Sequence, residues 1–352
     1  MTFVSDLTEK VRKRGVMPLE EYMALCNQQY YNAYRPFGVE GDFITAPEIS
    51  QMFGELIAAW SVDILKQLGS VDRFALLECG PGRGVLLNDI LRVYKHYKML
   101  ENVSDILLLE TSERLRADQK EKNPGHNLIW IKDIHKRTLS KKKGPFFIYA
   151  NEFLDALPIE QYFFKKGVWW KRHVSVDNSG SFKMSHVKSP PPPGIPHKPK
   201  EGDVFERSPA VFDFTKELAL LIKEKGGFAL FIDYGYKKTA FGNTFQAVKS
   251  HEYVSPFENP GRHDLTAHVN FAQVMGVCQD AGLYTYGPVE QGTFLEKCGL
   301  LERAKALQSN ASEKQREDIE SAVHRLSSAE EMGGLFKVIA ISDREIKPIG
   351  LI

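Results

Sequence analysis

Residues 74–87 read F-A-L-L-E-C-G-P-G-R-G-V-L-L, an apolar run that breaks into three glycines and resumes as an apolar, helix-compatible segment. The pattern predicts a strand, a tight turn and a helix. Gly80, Gly82 and Gly84 carry no Cβ, so backbone can approach a ligand closely and the helix N-terminus can direct N–H groups at its polar end. A dinucleotide fingerprint requires Gly or Ala at the fifth position after Gly80, where Val85 stands. A P-loop requires Lys followed by Ser or Thr after the glycines, and neither pair is present.

The 352 residues give room for one large α/β domain with additions, or for two domains. Lys and Arg number 46 against 45 Asp and Glu, a net charge of +1, so no global field recruits nucleic acid or an anionic membrane. Cys26, Cys79, Cys278 and Cys298 are far apart with no C-x-x-C, which fits a reducing compartment and opposes a structural zinc site or disulfide framework. No apolar stretch approaches about 18 residues, so no membrane insertion is expected. The N-terminus, M-T-F-V-S-D-L-T-E-K-V-R-K-R, mixes acids with bases and lacks the pattern of a signal or transit segment, so a soluble cytoplasmic protein is expected.

Residues 5–35 are expected to form an amphipathic helix. Thr45 and Glu48 then stand at capping-box spacing, with Pro47 in the first turn, and the helix they start carries Ile49, Phe53, Leu56, Ile57, Trp60, Ile64 and Leu68 at nearly helical period. Strands at 74–79, 105–110, 128–132, 146–150 and 228–233, interleaved with helices at 84–96, 112–121 and 211–225, predict an α/β fold with a parallel, doubly wound sheet. An apparent hairpin, Q-Y-F-F-K-K-G-V-W-W-K-R-H-V-S-V, and a stiff proline tract, S-P-P-P-P-G-I-P-H-K-P, interrupt that rhythm. Late strands at 283–289 and 336–341 bracket a charged helix at 313–325. The expected partition is an N-terminal helical lid over 1–70, a core from 71–156 and 206–345, and an insertion over 157–205 above the ligand edge.

Ligands of doubly wound sheets sit at the carboxyl ends of the strands. Glu110, Asp133, Asn151, Glu152 and Asp233 stand at four such ends. Helix capping explains any one of them, but their recurrence on one edge marks a candidate site. Glu152 and Asp155 are three apart, so on a helical turn their carboxylates share a face and together suit a guanidinium, which presents five donors in a planar fork. The alternative is an acidic first turn that complements a helix dipole. His263 and His268, spaced i, i+5, match no metal motif, so no metal is expected. The fourth strand end lacks the N-P-P-aromatic motif of a base-flipping methyltransferase, so nucleic acid is not the expected partner.

The run E-x-G-x-G-x-G from Glu78 to Gly84, with Glu110 ending the next apolar run, resembles the S-adenosylmethionine loop of class I methyltransferases. The resemblance implies that the glycine turn passes under the methionyl and ribose parts of the cofactor. Glu110 would accept its ribose hydroxyls and Asp133 would reach the adenine amine, while the fourth strand end would face the methyl acceptor. More narrowly, the chain resembles the MidA family of class I methyltransferases. The shared segments are G-D-F-I-T-A-P-E-I-S-Q-M-F-G-E-L, E-C-G-P-G-R-G-V-L-L-N-D-I-L-R, N-E-F-L-D-A-L-P, the D-Y-G at 233–235, D-L-T-A-H-V-N-F from Asp264 and Q-G-T-F-L from Gln291. Val85, Leu154 and Asn270 depart from residues usual in that family.

This resemblance implies a Rossmann-like class I sheet of seven strands and S-adenosylmethionine as cofactor. Thr45 and Glu48 would lie near the cofactor on an N-terminal lid, with Glu78, Gly80, Gly82, Gly84, Glu110, Asp133 and Asn151 completing its site. Glu152 and Asp155 would be the catalytic pair. The implied activity is arginine methylation of a protein substrate, for the mitochondrial branch symmetric dimethylation in a complex I core subunit. That branch would place a processed eukaryotic form in the mitochondrial matrix. A small-molecule methyltransferase and a cofactor-binding assembly factor without catalysis remain open at this point.

Overall fold

The apolar runs of the sequence become strands of one central sheet. A computed structural model describes residues 2–33, 44–69, 71–139, 141–249 and 252–352, without the side chains of residues 136 and 137. Two compact units emerge. The larger holds Ile44–Phe153, Phe214–Gly235 and Val274–Ile352; the smaller holds Met1–Phe43, Leu154–Asp213 and Tyr236–Gln273.

In the larger unit seven strands run in the order Tyr284–Glu290, Phe336–Ser342, Gly227–Tyr236, Phe146–Asn151, Phe74–Cys79, Val103–Leu109 and Leu128–Ile131. The last five are mutually parallel. The expected all-parallel sheet is corrected at one strand, because Phe336–Ser342 runs antiparallel to both of its neighbours. No crossover helix is needed for such pairs, so the alternating rhythm that signals parallel strands is silent there. Parallel strands covered on both faces read as continuous apolar runs, and Phe74–Cys79 is buried at every position.

Phe74, Phe147 and Phe228, on three neighbouring strands, pack in a row with ring centroids 4.2 Å and 4.5 Å apart, the first pair stacked and the second tilted. Trp60 closes over this row, edge-on to Phe228 and Phe294, and its indole N–H donates to the Ile349 carbonyl at 3.1 Å. Trp60 is 3% exposed, so Trp60→Ala removes a large buried ring and leaves an acceptor unmatched. The expected cost is about 3–5 kcal/mol, read as a lower denaturation midpoint in urea at unchanged slope.

The single helix expected from Thr45 is instead two. Ala46–Ile49 is a short helix whose N-cap, Thr45, makes no side-chain capping bond, and extended Ser50 then caps Gln51–Leu68 by accepting from the Met52 N–H at 3.2 Å. The capping box is therefore not formed. Gln51–Leu68 packs on the sheet core of the larger unit. Gly54 makes that helix fit, since a Cβ there would lie 2.5 Å from the Asp89 Cβ.

In the smaller unit, the long helix expected over 5–35 is broken into Phe3–Arg14 and Leu19–Ala33. Gly15, at φ +77°, ends the first by donating to the Arg12 carbonyl, and Met17–Pro18 pairs with Val174 and His173 in extended form. Residues 34 and 35 lie outside the described residues, as does the G-D-F at 41–43. The expected hairpin is present as Glu160–Lys165 against Val168–Val176, extended by Phe182–Ser189 and Val204–Arg207 into one antiparallel sheet.

Candidate functional site

The glycine turn leaves the Phe74–Cys79 strand with Gly80, Gly82 and Gly84 at φ +65°, +51° and +80°. Left-handed backbone at three alternate positions is why glycine recurs there. The Gly84 N–H closes the turn on the Pro81 carbonyl at 2.7 Å, and Gly84 becomes the N-cap of Val85–His96. Cβ atoms at Gly80 and Gly84 would come within 2.9 Å of Phe153 and 2.8 Å of Asn123, so both are tight approaches as well as turns.

Gln119, fully buried, holds this turn against the next strand end. Its amide donates to the Gly82 carbonyl at 2.8 Å and the Glu110 Oε2 at 3.3 Å, while its own oxygen accepts from the Trp130 indole at 2.7 Å. A glutamine within a charged helix carries no sequence signal for this role. Glu110 also accepts from the Ser112 N–H at 2.8 Å. Burial raises its carboxyl above the ordinary value, opposed by those hydrogen bonds and by Arg116. Asp133, two strands from the turn, accepts from the His135 N–H at 3.1 Å and the Thr138 hydroxyl at 2.5 Å.

Glu78 precedes the turn on its strand, 3% exposed, and its Oε2 has no hydrogen-bond partner among the described residues. Burial alone pushes its carboxyl from 4.5 up to about 8. The folded protein therefore holds a proton that the unfolded chain releases above 4.5. This stabilisation is complete below pH 4.5 and is lost as pH rises to about 8, an effect of a few kcal/mol at most. In ligand-free protein, Glu78→Gln should flatten the decline of stability between pH 5 and 8, measured by urea unfolding, roughly across that whole window. An unchanged decline would show that another group carries it.

On the Phe146–Asn151 side, Glu152 sits at φ +51°, a left-handed conformation that costs a non-glycine residue about 1–2 kcal/mol. Its carboxylate accepts from the Ala46 N–H at 3.2 Å and the Asn151 amide at 3.0 Å, while its own N–H donates to the Ile232 carbonyl. Asp233, 1% exposed, fixes the following bend by accepting from the Phe153 N–H at 3.1 Å. No helix follows Asn151: residues 154–157 form bends and a turn, so the helical turn expected to set the Glu152 and Asp155 carboxylates on one face is not formed. An acidic first turn of a helix is therefore not the reason for these carboxylates. Glu48 joins the larger unit's set through Arg83 of the glycine turn, whose Nε donates to the Glu48 carboxylate at 2.7 Å.

The larger unit thus carries Thr45, Glu48, Glu78, Gly80, Gly82, Gly84, Glu110, Asp133, Asn151 and Glu152. Asp155 belongs to the smaller unit, 5% exposed, its carbonyl accepting from the Ala267 N–H at 3.1 Å. There Tyr31 donates to the Asp264 carboxylate at 2.8 Å. Burial, then the charges of Asp264 and Asp155, push the Tyr31 hydroxyl well above its ordinary value. Sequence reasoning used Asp264 as a family marker and missed Tyr31, whose acidic neighbours, Asp155 and Asp264, lie more than 100 positions away. Among the described residues no group of His, Cys, Asp and Glu could hold a metal ion, and no helix is long and apolar enough to cross a membrane.

Residues 56–289 match a family described as "Putative S-adenosyl-L-methionine-dependent methyltransferase". The chain belongs to this methyltransferase family. It is 32% identical to the mitochondrial protein arginine methyltransferase NDUFAF7 homolog of Drosophila melanogaster over 377 residues, covering 97% of this chain and 84% of the relative. The human NDUFAF7 is also 32% identical, over 95% of this chain and 82% of its own. A crystal structure from Burkholderia thailandensis, titled a "likely methyl transferase" bound to S-adenosyl-homocysteine, superposes with TM-score 0.84 at 25% identity, covering 99% and 94% of the two chains. The methyltransferase's own residues fit such a cofactor. Glu48, Glu78 and Asn151 each keep a buried oxygen acceptor without a partner among the described residues, and the ligand's ammonium and hydroxyl groups are donors.

Proposed function

We propose that this chain is an S-adenosylmethionine-dependent protein arginine methyltransferase, with Glu152 and Asp155 acting on the acceptor guanidinium. The acceptor we favour is an arginine in a subunit of a respiratory complex of complex I type, as the family resemblance implies. The observation that carries the reading is Glu152: a strained, non-glycine backbone holds a carboxylate at the carboxyl end of a central strand, and no helix follows to explain it. The arginine methyltransferases among its relatives support the same acceptor class.

The bound cofactor supplies a sulfonium methyl that is already activated for transfer. The chain's tasks are then alignment and charge handling. The turn Gly80–Gly84 presents backbone at close range, and Gln119 fixes its carbonyl at Gly82. Glu110 offers a carboxylate with remaining acceptor capacity, and Asp133 one at the next strand end. Thr45 and Glu48 act from the short helix tied to the turn by Arg83. A guanidinium is a weak nucleophile because its lone pairs are delocalised. Carboxylates beside its terminal nitrogens bias that density and take up the proton released as the N–C bond forms. An N-terminal lid over 1–70 and an insertion over 157–205 are part of this proposal, as is residence in the cytoplasm of a bacterium or the mitochondrial matrix.

Quantitative mass spectrometry of arginine methylation in cells with and without the gene tests the reading. A mark on a respiratory subunit should vanish in the deletion and return with the wild-type gene. A methylarginine inventory that is identical in both would sink it.

A further inference from the structure

One face of the smaller unit's antiparallel sheet carries three cations, Lys165, Arg172 and Lys188, against one buried acid, Glu206, whose charge favours the Arg172 cation. Cross-strand partners share a face, so Phe163, Trp170 and Lys188 line up across three strands, and Arg172 and His186 across two of them. Strand alternation adds Lys165 beside Phe163. Phe163 and Trp170 stack with centroids 6.4 Å apart, and the His186 ring meets Phe163 edge-on at 4.5 Å. The two aromatic rings are half-buried, while Lys165, His186 and Lys188 are exposed.

Lys171, one residue from both Trp170 and Arg172 but on the opposite face, shows the contrast. Its ammonium lies between Glu20 at 2.6 Å and Glu160 at 2.8 Å. Lys165, Arg172 and Lys188 have no carboxylate in salt-bridge range among the described residues. Arg172 is held only by neutral oxygens, those of Gln161 at 2.7 Å and Asn243 at 2.8 Å, and its buried Nε has no partner there. Glu206, the acid at the far end of this ladder, is 5% exposed, and its carboxylate is taken up by the Thr244 and Phe245 N–H groups, the Thr244 hydroxyl and the Gln161 amide. Partial burial, then the charges of Arg172, Lys165 and His173, hold the His186 imidazole below its ordinary value, so at neutral pH it adds a ring rather than a charge.

We propose that this face docks an acidic segment of the protein that carries the target arginine, an inference that rests on the protein-acceptor reading above. Three cations around an aromatic platform fit a chain whose carboxylates pair with Lys165, Arg172 and Lys188 while its apolar groups lie on Trp170 and Phe163. The interaction supplies affinity for the acceptor protein.

The test uses the full chain and a fluorescein-labelled decaglutamate peptide followed by anisotropy at low salt, with oligothymidylate and anionic phosphatidylserine vesicles as competitors. The expected result is salt-sensitive peptide binding that weakens at least about tenfold in Lys165→Glu/Lys188→Glu, with S-adenosyl-homocysteine affinity unchanged. Trp170→Ala should weaken it as well. Undiminished peptide binding by the charge-reversed variant overturns the proposal, as does tighter binding of oligothymidylate or vesicles than of peptide. The assay contains no methyl donor, so a failure to find arginine methylation would count against the proposed function and leave this result standing.

Discussion

Gly82→Val abolishes binding of S-adenosyl ligands while the protein stays folded. Gly82 lies at φ +51°, its carbonyl is held by the Gln119 amide, and the turn it centres leads directly into the helix N-cap at Gly84. A β-branched side chain is strained in the left-handed region and places methyl groups where a ligand must meet backbone. Titration calorimetry with S-adenosyl-homocysteine should register a loss of at least about a hundredfold, which is about 2.7 kcal/mol. Gly82→Ala should lose less. Wild-type affinity in the valine variant would mean that the cofactor does not pass against this turn.

Asp155→Asn has the opposite signature: cofactor affinity is kept and methyl transfer falls by about 10²- to 10⁴-fold. The substitution preserves shape, and the Asp155 carbonyl keeps its bond from Ala267, so the loop is retained while the charge and the proton acceptor are removed. Single-turnover transfer from labelled S-adenosylmethionine to the acceptor protein separates this loss from one in binding. Full turnover by Asp155→Asn would remove Asp155 from the chemistry and leave Glu152 as the carboxylate to examine.

Local chemistry was legible where one short segment contains its own cause. The glycine turn, the parallel strands and the 160–176 hairpin are each readable from residue type and period, because a buried parallel strand must be apolar throughout and a left-handed turn favours glycine. Features set by distant neighbours were not. Nothing in residues 336–342 announces that their strand runs backwards, since direction is decided by what it pairs with. Thr45 and Glu48 have capping spacing, yet Arg83, 35 positions from Glu48, takes the carboxylate and Ser50 takes the capping role. Gln119 and Tyr31 gain their importance only through folded neighbours. The strand-end acids are legible by position, whereas the left-handed backbone of Glu152 is visible only in the fold.

The central claim is transfer of a methyl group to arginine. The most direct measurement incubates the purified chain with tritiated S-adenosylmethionine and extract from cells lacking the gene, hydrolyses the labelled protein in acid and separates the amino acids. Label in methylarginines, absent with Asp155→Asn, is the predicted result. Label confined to another amino acid or to small molecules, at wild-type strength, would contradict the account.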